Sequence, residues 1–157
     1  LLEALVLYIG QSAVSSTNQK NGAATFNNSP ALGLLEKLVN TLRPEARYYL
    51  LSAIVNQLRY PNSHTHFFSF AILHIFGSEI AAQHETHIRE QIIRVLLERL
   101  IVHRPHPWGL IITLQELLQN GNYSFFRLPF IQAAPEIGRL FDALLQHIQQ
   151  QSPRSLS

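Results

Sequence analysis

Apolar residues recur at helical spacing along nearly the whole chain, and no run shows the strict alternation of a half-buried strand. The fold expected is therefore all-α. The prolines, at positions 30, 44, 61, 105, 107, 129, 135 and 153, fall between the periodic runs or at their first turn, where a missing N–H and a fixed backbone angle are tolerated. They divide the chain into seven helical segments, 1–15, 31–43, 44–60, 63–82, 86–103, 107–120 and 135–150, with a short turn near 123–128.

Three of these segments show how they should pack. In 135–150 the residues Ile137, Leu140, Phe141, Leu144, Leu145 and Ile148 share one face, while Glu136, Arg139, Asp142 and Gln146 face away. In 86–103 the ladder Glu90, Arg94, Glu98 lies opposite a broad face of Ile88, Ile92, Val95, Leu96 and Leu100, wide enough to touch two neighbours. Segment 63–82 carries Phe67, Phe68, Phe70, Ile72, Leu73, Ile75 and Phe76 nearly all round, which marks it as the central helix. Most connections are short, so successive helices should be antiparallel neighbours in an irregular stack. The exceptions are the exposed loop expected at 15–30, "SSTNQKNGAATFNNSP", and the tail at 151–157, which leave 1–150 as one helical domain.

Composition bounds the function. Cysteine is absent, which removes disulfides, thiolate zinc ligands and cysteine nucleophiles. Methionine is absent too, and "LLEALVLYIG" already reads as mid-helix, so a piece of a longer protein is expected. No apolar run approaches the roughly 20 residues of a membrane span. Twelve basic against ten acidic side chains give a net charge of +2, too little for a strong phosphate-binding claim. Direct contact with nucleic acid would need Arg43, Arg47, Arg59, Arg89, Arg94 and Arg104 to converge on one face, and the interleaved glutamates argue against it. Nor does the chain carry a glycine-rich phosphate loop, a G-x-S-x-G elbow or an obvious pair of carboxylates. A non-enzyme without cofactor or metal is the expectation.

Three histidine-bearing stretches could suggest otherwise. In "LRYPNSHTHFF" (58–68) the pair His64 and His66 could share a metal ion only if the helix has not begun, because residues two apart on a helix point about 200° apart. With Asn62 or Ser63 as N-cap both histidines fall in the first turn and serve the helix start. "HETH" at 84–87 is one residue short of the metalloprotease spacing, and Thr86 reads better as a cap. In "HRPHPWGL" (103–110) two prolines stiffen a corner that carries Arg104, His106, Pro107 and Trp108. There the simpler reading has Trp108 plugging the core and Arg104 capping the preceding helix, with partner contact as the alternative.

Two long stretches, "NQLRYPNSHTHFFSF" and "REQIIRVLLERLIVHRPHPWGLIITLQELLQN", together with "FIQAAPEIGRLF" and "LEALVLYIG", resemble the C-terminal domain of the Not scaffold subunit, the largest subunit of the CCR/NOT messenger-RNA deadenylase complex. The resemblance implies a HEAT-like stack of helices without catalytic activity. It implies docking of the Not-two and Not-three/five subunits and, in animals, of short peptides from translational repressors, in cytoplasm and nucleus. Arg59, Tyr60, Asn62, His64 and His66 match the first signature, and Arg104, His106, Pro107 and Trp108 match the second. The corner at 59–62 is expected to touch a partner, with hydrogen bonds from Arg59 and Asn62 and an amphipathic face from Tyr60.

Overall fold

The computed structural model describes residues 1–17, 29–59, 62–78, 87–102 and 107–151. They form α1 (Leu2–Thr17), α2 (Pro30–Thr41), α3 (Pro44–Asn56), α4 (Thr65–Gly77), α5 (His87–Val102), α6 (Trp108–Gln119), α7 (Pro129–Ala133) and α8 (Pro135–Gln151), with short 3-10 turns at Gly121–Tyr123 and Phe125–Arg127. Among the described residues there is no strand. Proline stands at the first turn of α2, α3 and α7 and opens α8, and Pro107 is the N-cap of α6. The described prolines therefore stand at helix starts, as the sequence indicated.

Helices alternate between two layers, α1, α3 and α5 in one and α2, α4, α6 and α8 in the other, which gives the HEAT-like antiparallel stack. The closest packing runs along the layers, α1 on α3, α3 on α5, and α4 on α6. Helix α4 is the centre: Phe67, Phe68, Ala71, Ile72, Ile75 and Phe76 are fully enclosed. It ends at Gly77, with Ser78 as C-cap, so it is shorter than the 63–82 run suggested. Helix α3 also stops early, at Asn56, because Leu58 and Arg59 turn back to the carbonyls of Val55 and Asn56. At the other end α1 runs to Thr17, into the stretch read as loop. Residues 18–28 of that loop, the tail beyond Gln151, and Thr86 lie outside the described residues.

Two arginines hold the layers in register. Arg47 of α3 donates from Nε to the Val39 carbonyl (2.8 Å) and from a terminal nitrogen to the Leu42 carbonyl (3.3 Å), covering the open end of α2. Arg89 of α5 donates to the Phe76 carbonyl at 2.8 Å and lies over the Phe76 ring, which closes α4 in the same way. On the outer face of α5, Arg94 pairs with Glu98 at 3.0 Å and stacks over Tyr48. Glu98 also accepts the Tyr48 hydroxyl, and this bond holds the Glu98 carboxyl below its ordinary pKa and the phenol above its own.

Helices α4 and α6 approach so closely that small residues line the contact, Thr65 and Ser69 on one side, Gly109 and Thr113 on the other. Thr113 Oγ1 donates to the Gly109 carbonyl (2.7 Å), so the 2.7 Å contact between the Ser69 and Thr113 hydroxyls leaves Ser69 as the donor. Thr113→Val keeps the shape and removes that acceptor, and is expected to cost about 1–2 kcal/mol in denaturant unfolding. The double change Ser69→Ala with Thr113→Val should recover most of the loss. A double variant as weak as the sum of its parts would mean that the pair is not coupled.

One apolar residue departs from its expected place. Leu140 is exposed, while Phe141 is enclosed beside Phe125 at 5.1 Å between ring centres. One residue of helix is about 100° of rotation, and the face of α8 turned to α6 and α7 centres on Phe141 and Ile148 instead.

Candidate docking corner

Residues 62–64 of the first signature lead into α4 through a tight turn. Asn62 Oδ1 accepts the His64 N–H at 2.7 Å, and the Asn62 N–H donates to Thr65 Oγ1 at 3.1 Å. This reciprocal pair of side-chain bonds is what a capping box achieves, and it fixes the start of α4. The N-cap expected at Asn62 or Ser63 falls instead to His64, which makes no side-chain cap bond, so His64 precedes the helix and only His66 lies within it. His64 is half-buried beside Ser63, with Oγ 3.3 Å from Nδ1, and His66 is exposed.

The second signature begins α6. Pro107 sits extended at the N-cap with its carbonyl accepting the Ile111 N–H, and Trp108 is the first helical residue. Trp108 does not plug the core: it is 49% exposed and meets the edge of the His66 ring, with centroids 5.4 Å apart at 86°. Gly109 takes the buried slot instead. A Cβ there would lie 2.6 Å from Thr65 Cγ2 and 2.8 Å from the Leu58 carbonyl oxygen. The inward face of α6 is Gly109, Leu110, Thr113, Leu114, Leu117 and Leu118, and Trp108, one residue earlier, is rotated off it.

The two signatures, about forty residues apart in sequence, thus meet at one corner. Arg59 and Pro107 line the same shallow cleft, together with Val55, Asn56, Arg99 and Leu110. Arg99 and Asn56 were not foreseen. Arg99 reads in sequence as part of a solvated face, and nothing in the pattern brings it to the end of α3. Tyr60, Arg104 and His106 lie outside the described residues.

Among the described residues no group of three or more histidines and carboxylates could hold a metal ion, and no helix is long and apolar enough to cross a membrane. Among the described arginines of the expected nucleic-acid surface, three are engaged within the domain: Arg47 closes α2, Arg89 closes α4, and Arg94 is paired with Glu98 over Tyr48.

An all-helical, two-layered stack presenting an exposed aromatic and polar corner belongs to the class of helical-repeat domains. A family model described as "CCR4-Not complex component, Not1" matches residues 1–145, and the chain belongs to that family. It is 44% identical over 144 residues to the CCR4-NOT transcription complex subunit let-711 of Caenorhabditis elegans, covering 90% of this chain. It is 46% identical over 122 residues, 78% of this chain, to the general negative regulator of transcription subunit 1 of Schizosaccharomyces pombe. The chain spans only 5% and 6% of the length of those relatives. Among solved structures, the NOT1 superfamily homology domain from Chaetomium thermophilum superimposes with a TM-score of 0.77 at 44% identity, over 92% of this chain and 28% of that one. A Not1 C-terminal domain in complex with Not4 superimposes with a TM-score of 0.75 at 32% identity, over 88% and 28%.

Proposed function

We propose that this domain is a non-catalytic docking platform of the CCR4-Not complex. It assembles the Not-two and Not-three/five subunits, and it works in cytoplasm and nucleus toward messenger-RNA deadenylation, translational repression and control of transcription. Short repressor peptides are a further class of partner. The observation that carries the reading is the convergence of the two signatures on one corner with Trp108 uncovered. A large aromatic half in water, braced by a second ring, is the kind of anchor on which interface energy concentrates. The relative solved with Not4 is a member of the same family holding a protein partner.

The test is a pull-down with purified Not-two and Not-three/five segments, followed by calorimetry. Trp108→Ala is expected to weaken the complex at least about thirtyfold, the effect of a hot spot of roughly 2 kcal/mol, and to shift the melting temperature little. Asn62→Ala should do the reverse, lowering the melting temperature because its side chain builds the turn. If Trp108→Ala melts early and binds normally once folded, the corner is structural and the docking surface lies elsewhere.

A further inference from the structure

The turn that ends α6 carries a reactive pair of residues. Asn120 is the C-cap, and Gly121 after it opens the first 3-10 turn. An asparagine followed by glycine is especially prone to lose its amide, because glycine has no side chain to hinder its own backbone nitrogen as that nitrogen attacks the asparagine Cγ. The turn does not need the glycine: a Cβ on Gly121 would meet nothing within 4 Å, and its φ lies outside the left-handed region. The Asn120 amide is held at both ends. Oδ1 accepts the Asn122 N–H at 3.0 Å, and Nδ2 donates at 2.9 Å to Glu116 Oε1, one helical turn back. The Asn120 carbonyl accepts the Tyr123 N–H, and the Gly121 carbonyl accepts both the N–H and the hydroxyl of Ser124. With Asn120 at ψ 111° the Gly121 nitrogen is turned away from the asparagine side chain. The peptide plane between the two residues must swing over before that nitrogen can reach Cγ, and the swing breaks the bonds of the turn.

We propose that Asn120 is a site of spontaneous deamidation, held back by this turn with Glu116 as its latch. In the reaction the Gly121 nitrogen bonds to Asn120 Cγ, the Cγ–Nδ2 bond breaks, and ammonia leaves carrying the proton that the nitrogen gives up. The product is a cyclic imide. Water then opens the ring, leaving an aspartate where the bond from the nitrogen to Cγ is cut and an isoaspartate where the bond to the backbone carbon is cut. Ring closure needs the open turn, so the folded domain reacts in proportion to the fraction of time the turn is open. Either product puts a carboxylate beside Glu116 at the C-terminal end of α6, where a like charge and the helix macrodipole both oppose it. The effect reaches α4 through Tyr123, which meets the Phe76 ring edge to face at 5.8 Å and comes within 3.2 Å of where a Cβ on Gly77 would stand. None of this depends on a docking partner.

The experiment incubates the purified protein in mildly alkaline buffer, with and without urea, and follows the peptide that contains Asn120 by mass spectrometry. The pair Asn21–Gly22 falls in a separate peptide. Conversion of Asn120 is expected in urea, and at least about tenfold more slowly in the folded protein. Glu116→Ala, at an exposed position and first checked by thermal melting, should speed conversion of the folded protein roughly threefold or more, the effect of one hydrogen bond on an opening equilibrium. In urea it should change nothing. Glu116→Gln, whose amide oxygen still accepts, should stay close to the native rate. Gly121→Ala, for which there is room, should slow conversion in both conditions. Asn120→Asp, which copies one product, should lower the melting temperature by about 2 °C or more. No conversion in urea, or conversion as fast in the folded protein as in urea, would overturn the proposal. So would a Glu116→Ala protein that melts as the native one does and converts no faster, because Glu116 is then no latch. A Gly121→Ala chain that converts in urea as fast as the native chain would overturn it too, since the ring is then not the route. An unchanged melting temperature for Asn120→Asp would overturn the effect on α6 and α4.

Discussion

Gly109→Val is expected to lower the melting temperature by about 6–12 °C, the result of a net loss near 3 kcal/mol in a domain of this size. The valine Cβ would stand 2.6 Å from Thr65 Cγ2 and 2.8 Å from the Leu58 carbonyl oxygen. A methyl group at the tip of a side chain can yield, but the carbonyl belongs to the turn that ends α3 and cannot move alone. Relief must come from α6 sliding away from α4, which strains the Ser69–Thr113 bond and tilts Trp108 off His66. Against this stands the roughly 1 kcal/mol that any side chain gains over glycine inside a helix, so Gly109→Ala should lose less than valine. The measurement is thermal unfolding by circular dichroism, paired with partner affinity. If Gly109→Val melts within about 2 °C of the native protein, α4 and α6 do not pack this closely.

The helices were legible because their signals are local. Proline positions, apolar spacing and short connections each act within a turn or two of the residue concerned, so the starts of α2, α3, α6 and α8 fell within a residue or so of the segments read from the sequence. The enclosure of α4 was legible for the same reason, since a helix apolar on every side has nowhere to lie but between others. The corner was legible as two signatures. Their meeting was not, because it depends on Gly109 seating against Leu58 and Thr65, a contact between elements far apart in sequence. One trace of it stands in the chain: Thr65 with Ser69 and Gly109 with Thr113 are small residues four apart on helices that must otherwise be large and apolar.

Residue chemistry misleads where it stands in for geometry. Trp108 reads as a core residue because tryptophan is large, yet the buried slot at the start of α6 falls one residue later. Arg47 and Arg89 look like candidate surface cations, yet both close helix C-termini, a role set by where the preceding helix happens to end. Arg99 offers no signal, because what brings it near Arg59, in the turn after α3, is the packing of α5 on α3. In each case the missing information is the rotation of one helix against another, which is fixed by packing between elements and is only weakly encoded within any one of them.

Phe68→Ala tests that packing at the centre of the domain and is expected to cost about 3–5 kcal/mol, lowering the melting temperature by roughly 10 °C or more. The ring is fully enclosed and meets Phe67 edge to face at 5.2 Å. It also presses on α1 where only glycine fits, since a Cβ on Gly10 would lie 2.6 Å from its Cε2 and Cζ atoms. Gly10→Ala in the native background should therefore destabilise by about 1–3 kcal/mol. With the ring removed the clash is gone, the methyl group enters the vacated space, and the preference of a helix for alanine over glycine remains, so the same change should become neutral or stabilise by about 1 kcal/mol. The two substitutions are thus predicted to be coupled by about 2 kcal/mol or more, with a change of sign for Gly10→Ala. Denaturant unfolding of the two single variants and the double decides it. Additive effects would mean that α1 is free to retreat from α4, and that the first helix is held to the stack mainly by α3.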